Sequence, residues 1–272
     1  MTREPSLAAM PPFHFLHLTD PHLPPPGGTL RGLDPALGLA AAIADIARRH
    51  GPESAAPAGF AVVTGDLVRE GEPAGYARLR EMLAGLPCPA HLLLGNHDNR
   101  AAFRAAFPEA PLDPGGFVQQ ALDSPAGRCL MLDTHAPGRP EGRLCAARLD
   151  WLAARLAEDA GPVLLFLHHP PLPVGMPGMD RAALQDTAAF WDVLAPHRAR
   201  IRHLFHGHLH RPIAGSWRGI PVSSLRGTAF EVALDAASDA IEVTAQEPPC
   251  YSLVRALGQD LVVHTRALPD AT

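Results

Sequence analysis

The chain contains no lysine: all 23 of its basic residues are arginine. That absence excludes a P-loop lysine, a Schiff-base lysine and a Ser-Lys dyad. Cysteine is sparse as well, and Cys88, Cys129, Cys145 and Cys250 show no C-x-x-C spacing. They read as reduced thiols, mostly buried, and neither a zinc ribbon nor a disulfide framework fits. No apolar run approaches the roughly 20 residues of a membrane span. Residues 1–12 lack the basic start and apolar centre of a signal peptide and read as a flexible tail. A cytoplasmic protein with no membrane partner is expected. Positive charge is not in excess either: 28 acidic residues against 23 basic ones give a net charge of -5. This argues against binding of a nucleic-acid polymer, which rests on many phosphate-neutralising cations. A small-molecule substrate fits better.

Histidine, by contrast, is abundant, with 15 in 272 residues. The informative ones sit where apolar runs stop. Leu92-Leu93-Leu94 reads as a buried strand and runs into Gly95-Asn96-His97-Asp98, four residues with no packing use. In α/β proteins ligands bind beyond the carboxyl ends of strands. The pattern recurs four times. Strand 13–18 delivers Thr19-Asp20-Pro21-His22, strand 59–64 ends in Gly65-Asp66, strand 162–167 meets His168-His169-Pro170-Pro171, and strand 201–205 meets His206-Gly207-His208-Leu209-His210. Asp20 and His22, like His208 and His210, are two apart, so in extended backbone each pair points to one side.

Between these motifs the spacing predicts helices over 34–50, with Asp34 as N-cap and Pro35 at the first position, and over 72–85 and 100–107. Strands 117–122 and 128–133 flank a turn, helices cover 145–159 and 181–194, and the loop 171–180 suits a lid over the pocket. Alternating strands and helices imply right-handed βαβ units and a parallel sheet. Apolar and β-branched segments at 220–224, 242–245, 251–256 and 261–265 suggest a second sheet. A single catalytic domain over 13–268 is expected.

Asp20, His22, Asp66, Asn96, His168, His208 and His210 are too many ligands for one ion. They suit two divalent or trivalent metals sharing a bridging carboxylate, with Mn, Fe, Zn or Co favoured by imidazole and oxygen donors. Two divalent ions carry four positive charges; two aspartates and a bridging hydroxide remove three. The remaining charge matches a phosphodiester monoanion. Roughly 3.5 to 4 Å apart, such metals lower the pKa of a shared water and clamp the phosphoryl oxygens for in-line attack. His97, not needed as a ligand, is free for proton work with Asp98 as its orienter, and His169 and His206 read as residues that hold ligands or substrate in place.

Asp-x-His, Gly-Asp, Gly-Asn-His-Asp, His-His-Pro-Pro and Gly-His-x-His in this order resemble the motifs of the calcineurin-like metallophosphoesterases. Gly71-Glu72-Pro73, Tyr76 and Pro170-Pro171-Leu172-Pro173 extend the resemblance toward the bacterial class III cyclic nucleotide phosphodiesterases and related glycerophosphodiesterases. The resemblance implies a four-layer α/β/β/α sandwich of two mixed sheets flanked by helices. It also implies that Asp20, His22, Asp66 and His210 hold one metal, and that Asp66, Asn96, His168 and His208 hold the other. Gly65-Asp66-Leu67-Val68-Arg69-Glu70-Gly71 departs from the Gly-Asp-x-Val-Asp-Arg-Gly of the protein Ser/Thr phosphatases, and Tyr76 and Tyr251 are not where purple acid phosphatases place their tyrosine ligand. Hydrolysis of 3',5'-cyclic nucleotides or glycerophosphodiesters is expected. A broad phosphomonoesterase is the alternative enzyme, and a non-catalytic scaffold of the same fold is the alternative of another class. Arg31, Arg139, Arg143 and 176–180 lie in loops that suit the pocket lining, and the late strands leave room for an interface between copies.

Overall fold

The computed structural model describes residues 12–30, 32–244 and 247–268. The tail at 1–11, Arg31 and the end of the strand expected at 242–245 lie outside them. Strands β1 (Phe13–Leu18), β2 (Ala58–Val63) and β3 (Ala90–Leu92) run parallel, with α1 (Pro35–His50) and α2 (Pro73–Leu83) as crossovers and α3 (Arg100–Ala106) following. Asp34 caps α1 by accepting the Ala36 N–H, and Asn99 caps α3 by accepting that of Ala102. Next come β4 (Gln120–Ser124), β5 (Gly127–Met131), α4 (Ala146–Ala157), β6 (Val163–Phe166), α5 (Pro177–Arg181), α6 (Thr187–Leu194) and β7 (Ile201–Phe205). The chain closes with β8 (Ile213–Trp217), β9 (Ile220–Ser224), β10 (Glu231–Val232), β11 (Val243–Thr244), β12 (Cys250–Leu257) and β13 (Asp260–Ala267).

Two sheets result, in the orders β13-β12-β1-β2-β3 and β4-β5-β6-β7-β9-β8, with β10-β11 as a small ribbon. Period-2 alternation sorts the side chains. Phe15, Phe60 and Val62 from the first sheet meet Met131, Leu164, Phe166 and Phe205 from the second in one buried cluster between the sheets. Their neighbours Leu16, Leu18, Ala61 and Val63 face outward onto Leu39, Ile46, Leu79 and Phe103 of the helices, while Leu130, Leu165 and Leu204 pack on Leu152, Leu156 and Phe190. The architecture is therefore helix, sheet, sheet, helix. All three motif strands of the first sheet, and both of the second, release their chains on one rim.

Several local expectations change. Apart from the β10-β11 ribbon, the late strands do not make a sheet of their own: β8 and β9 extend the second sheet, and β12 pairs antiparallel onto β1 of the first with β13 at its outer edge. The helix expected over 181–194 is two helices, because 182–186 breaks the ladder. Of the stretch 171–180, the last part is helical, and Met176 and Met179 are buried against Leu209 and Val232. The first hairpin turns where expected but more tightly, at Pro125-Ala126 between Ser124 and Gly127, with its first strand beginning at Gln120 rather than Phe117.

Candidate metal centre

Beyond the strand ends, six of the seven expected ligands are buried: Asp20, His22, Asp66, His168, His208 and His210. Asn96 is half-buried. The backbone that carries them is not extended. Among the described residues six non-glycine residues have positive φ, and five are Asp20, His22, Asp66, His208 and His210, with φ from 44° to 71°. The two-apart spacing therefore works through left-handed turns rather than through strand alternation. Each such residue costs of the order of 1–3 kcal/mol. Five together mark a loop set held in place for a purpose other than stability.

The side chains form two clusters. In the first, His22 Nε2 lies 3.0 Å from His210 Nε2 and 3.3 Å from Asp66 Oδ2, and His210 Nε2 lies 3.3 Å from Asp20 Oδ1. In the second, Asn96 Oδ1 lies 3.2 Å from His168 Nε2 and 3.0 Å from His208 Nδ1. Asp66 Oδ2 is 3.4 Å from His168 Nε2, so this one oxygen faces both groups. Its other oxygen accepts the backbone N–H of His97 at 2.9 Å.

Backbone carbonyls set the rings. His168 donates from Nδ1 to Thr64 O at 2.7 Å, and His210 from Nδ1 to Phe230 O at 3.1 Å. Both Nε2 lone pairs are thereby turned into the clusters. The Phe230 ring stacks on His210 at 4.0 Å. Small residues admit these contacts: a Cβ on Gly95 would lie 2.2 Å from Asp66 Oδ1, and one on Gly207 would lie 2.1 Å from Thr19 Oγ1.

The electrostatics call for a cation. Burial holds His22 and His208 well below the usual imidazole range, so they are neutral donors of lone pairs. Burial would lower His168 too, but the Asp66 and Asp20 carboxylates outweigh it and lift His168 to about 9. A proton there does what a metal would do, which is to balance buried carboxylates. Oxygen and imidazole donors converging without enough protons to share suit Mn, Fe, Zn or Co better than Ca, so the residues present fit a pair of metal ions.

The flanking residues divide differently from expectation. Asp98 does not orient His97. Its carboxylate accepts from Gly95 N–H at 2.8 Å, Leu67 N–H at 3.1 Å, Val68 N–H at 3.3 Å and Tyr76 Oη at 2.9 Å, so it ties the Asp66 and Asn96 loops together. Burial and the Asp66 charge push Asp98 up to about 7, opposed by these donors. His97 is exposed, its Nδ1 donates to Arg69 O at 2.8 Å, and its ring stands edge-on to His22 at 4.7 Å. His169 is buried beside the second cluster, but Thr134 Oγ1 at 2.7 Å and Pro140 O at 3.2 Å occupy both ring nitrogens, which leaves His168 as the free donor of the pair. His206 is buried, and its Nδ1 donates to Gly207 O at 3.1 Å. Arg139 pairs with Glu141 and Arg143 with Asp186, and both arginines are exposed.

Sequence reasoning passed over Thr19, Thr64, Phe230 and the run Asp133-Thr134-His135. Arg100 grips Asp133 through two 2.9 Å bonds, and His135 Nδ1 donates to Gly95 O at 2.9 Å. The signal was available: this is a further polar triplet just past an apolar strand.

The profile of the calcineurin-like phosphoesterase family matches residues 13–212. A Rhodopseudomonas palustris protein named probable cyclic nucleotide phosphodiesterase is 44% identical over 254 residues, 92% of this chain and 90% of its own. Glycerophosphodiester phosphodiesterase GpdQ of Enterobacter lignolyticus is 32% identical over 213 residues, covering 76% and 75%. Among solved structures, a dimetal phosphatase from Danio rerio superposes with a TM-score of 0.64 at 16% identity, covering 94% of this chain and 99% of that one, a likeness of fold. With the two-sheet sandwich and its rim of Asp, His and Asn in view, the chain belongs to the calcineurin-like phosphoesterase family.

Proposed function

We propose that this protein is a metal-dependent phosphodiesterase of small substrates, with 3',5'-cyclic nucleotides such as cyclic AMP as the first candidates. The observation that carries the reading is Asp66 Oδ2, which lies within 3.4 Å of an imidazole nitrogen in each cluster and so suits a shared ligand. Asp20, His22, Asp66 and His210 would hold one ion, and Asp66, Asn96, His168 and His208 the other. Two such ions, when bound, lower the pKa of a shared water and neutralise the phosphoryl oxygens.

The protein's own part is positioning and proton handling. Imidazoles, which give up any extra proton on taking a metal, and the Asn96 amide add no negative charge to the site, which favours an anionic diester. With Nδ1–H committed to Arg69 O, His97 presents Nε2 at the exposed edge of the first cluster. A proton on Nε2 can pass to the departing alkoxide, a contribution worth about 100- to 10,000-fold. Beside the site Leu30, Leu33, Pro35, Ala229, Phe230 and Val243, with Thr244 as a polar member, line a mainly apolar cavity of about 220 Å³. Such a lining suits a nucleobase better than a hydrated glycerol headgroup, and the 44% identical relative carries a cyclic nucleotide name. The glycerophosphodiester reading rests on the 32% identical relative.

The test compares turnover of 3',5'-cyclic AMP, glycerophosphoethanolamine and a simple phosphomonoester by metal-stripped protein before and after addition of Mn2+. Metal-dependent turnover of cyclic AMP above the other two is expected. Preference for glycerophosphoethanolamine would move the reading to the second diester class, and preference for the monoester, or no metal-dependent turnover, would overturn it.

A further inference from the structure

Asp20 is engaged on both of its carboxylate oxygens. Its Oδ2 accepts the Thr19 hydroxyl at 2.6 Å, and the His208 N–H is shared between Oδ2 at 3.1 Å and Oδ1 at 3.3 Å. Only Oδ1 faces His210 and His22. Behind Thr19 the bonds continue into the space between the sheets. Thr64 Oγ1 donates to Thr19 Oγ1 at 2.8 Å, and His17 Nε2 stands 2.9 Å from Thr64 Oγ1. All four side chains are buried.

Proton counting gives this chain one direction. A hydroxyl has one proton. Thr19 spends its proton on Asp20, so it meets Thr64 as an acceptor. Thr64 Oγ1 has two acceptors, Thr19 Oγ1 at 2.8 Å and Leu18 O at 3.5 Å; with its proton on the nearer one it accepts from His17, whose Nε2 then carries the N–H. Burial lowers His17 to about 3, which leaves a neutral ring whose single N–H is used here. The same Thr64 accepts the Nδ1–H of His168 on its carbonyl, so the residue just past β2 bonds directly to the second cluster and reaches the first only through Thr19. The Thr19 hydroxyl has no slack, since Gly207 passes so close that a Cβ would overlap it.

We infer that His17, Thr64 and Thr19 form a positioning relay that turns Asp20 Oδ2 away from the cavity and Oδ1 into it, and so sets metal affinity at the first cluster separately from the second. The inference rests on Asp20 being a ligand of the first ion. Buried hydroxyls must be paired in any protein; a role in packing alone would change stability and leave the ratio of the two metal affinities as it was.

Calorimetric titration of the metal-stripped full chain with Mn2+ reads that ratio. Thr19→Val should weaken one ion about 10- to 100-fold, the range for outer residues that orient ligands, with the other little changed, and Thr19→Ser should restore it. Wild-type binding of both ions by Thr19→Val, or equal weakening of both with no rescue by serine, would overturn the relay. Should Thr19→Val fail to fold, His17→Leu and His17→Gln make the same comparison two links away. Leucine should weaken the first ion and glutamine, which keeps an N–H donor, should not; equal behaviour of the two overturns the relay. Asp20→Ala separates the failures: loss of the same ion keeps the ligand assignment, and retention of both ions removes that assignment and the relay with it.

Discussion

At the scale of single residues, adjacent side chains in the Gly-Asn-His-Asp run do opposite work. Asp98 is buried and takes four donors, so Asp98→Ala leaves three backbone N–H groups and a tyrosine hydroxyl unpaired, at about 1–3 kcal/mol for each group that finds no other partner. A marked fall in melting temperature is expected. His97 is exposed, and His97→Ala should melt near wild type and bind both metals, yet lose about 100-fold or more in turnover of a substrate with a poor leaving group. Full activity in that variant would remove His97 from the chemistry. The motif was legible from the sequence because polar residues have no packing reason to follow Leu92-Leu93-Leu94. The orienter was not, since sequence adjacency pairs His97 with Asp98 while the fold gives His97 the Arg69 carbonyl.

Two histidines away from the ligands, buried His17 and half-buried His203, make stability depend on pH. Burial lowers His17 to about 3 and His203 to about 4. In the unfolded chain an imidazole binds its proton near 6.5, so between that value and the folded ones the unfolded state holds more protons. Stability is full above about pH 6.5 and is lost as pH falls toward 4. Denaturant unfolding of metal-free protein should show this decline, and His203→Gln should reduce its slope.

At the scale of elements, most strands were legible, β8 and β10 were missed, and the turns beyond the motif strands were not legible. Period-2 alternation and apolar runs located β1, β2, β6 and β7 within a residue or two. The sequence does not display that Asp20, His22, Asp66, His208 and His210 adopt left-handed backbone, because aspartate and histidine enter that region more often than most residues yet still in a small minority of cases, and here the contacts across the rim impose it. Glycine is the partial exception. Gly95 and Gly207 stand where Cβ would overlap Asp66 and Thr19. Gly95→Ala should displace the Asp66 carboxylate and weaken both ions, measurable as a loss of bound metal with secondary structure intact. Retention of two ions would show that the loop has room to give.

For the whole molecule, the fold class followed from strand-helix alternation together with the family resemblance, but the routing of the late strands did not. Sheet partners are chosen by distant segments, so the strands after β7 read alike whether they extend one sheet or the other. That routing matters for the site. Asp20, His22, Asp66 and Asn96 leave the first sheet and His168, His208 and His210 leave the second, so bound ions would tie the two sheets together at their rim. Metal binding to the folded state alone adds about 2.7 kcal/mol at a hundred times the dissociation constant. Chelation should therefore lower the melting temperature by several degrees, and Mn2+ should restore it.

The central claim is that Asp66 serves both ions. Equilibrium dialysis against Mn2+ followed by elemental analysis tests it directly, with wild type, Asp20→Ala and Asp66→Ala side by side. Two ions per chain are expected in wild type, one in Asp20→Ala and well under one in Asp66→Ala. A single ion in wild type, or an undiminished count in Asp66→Ala, would contradict it.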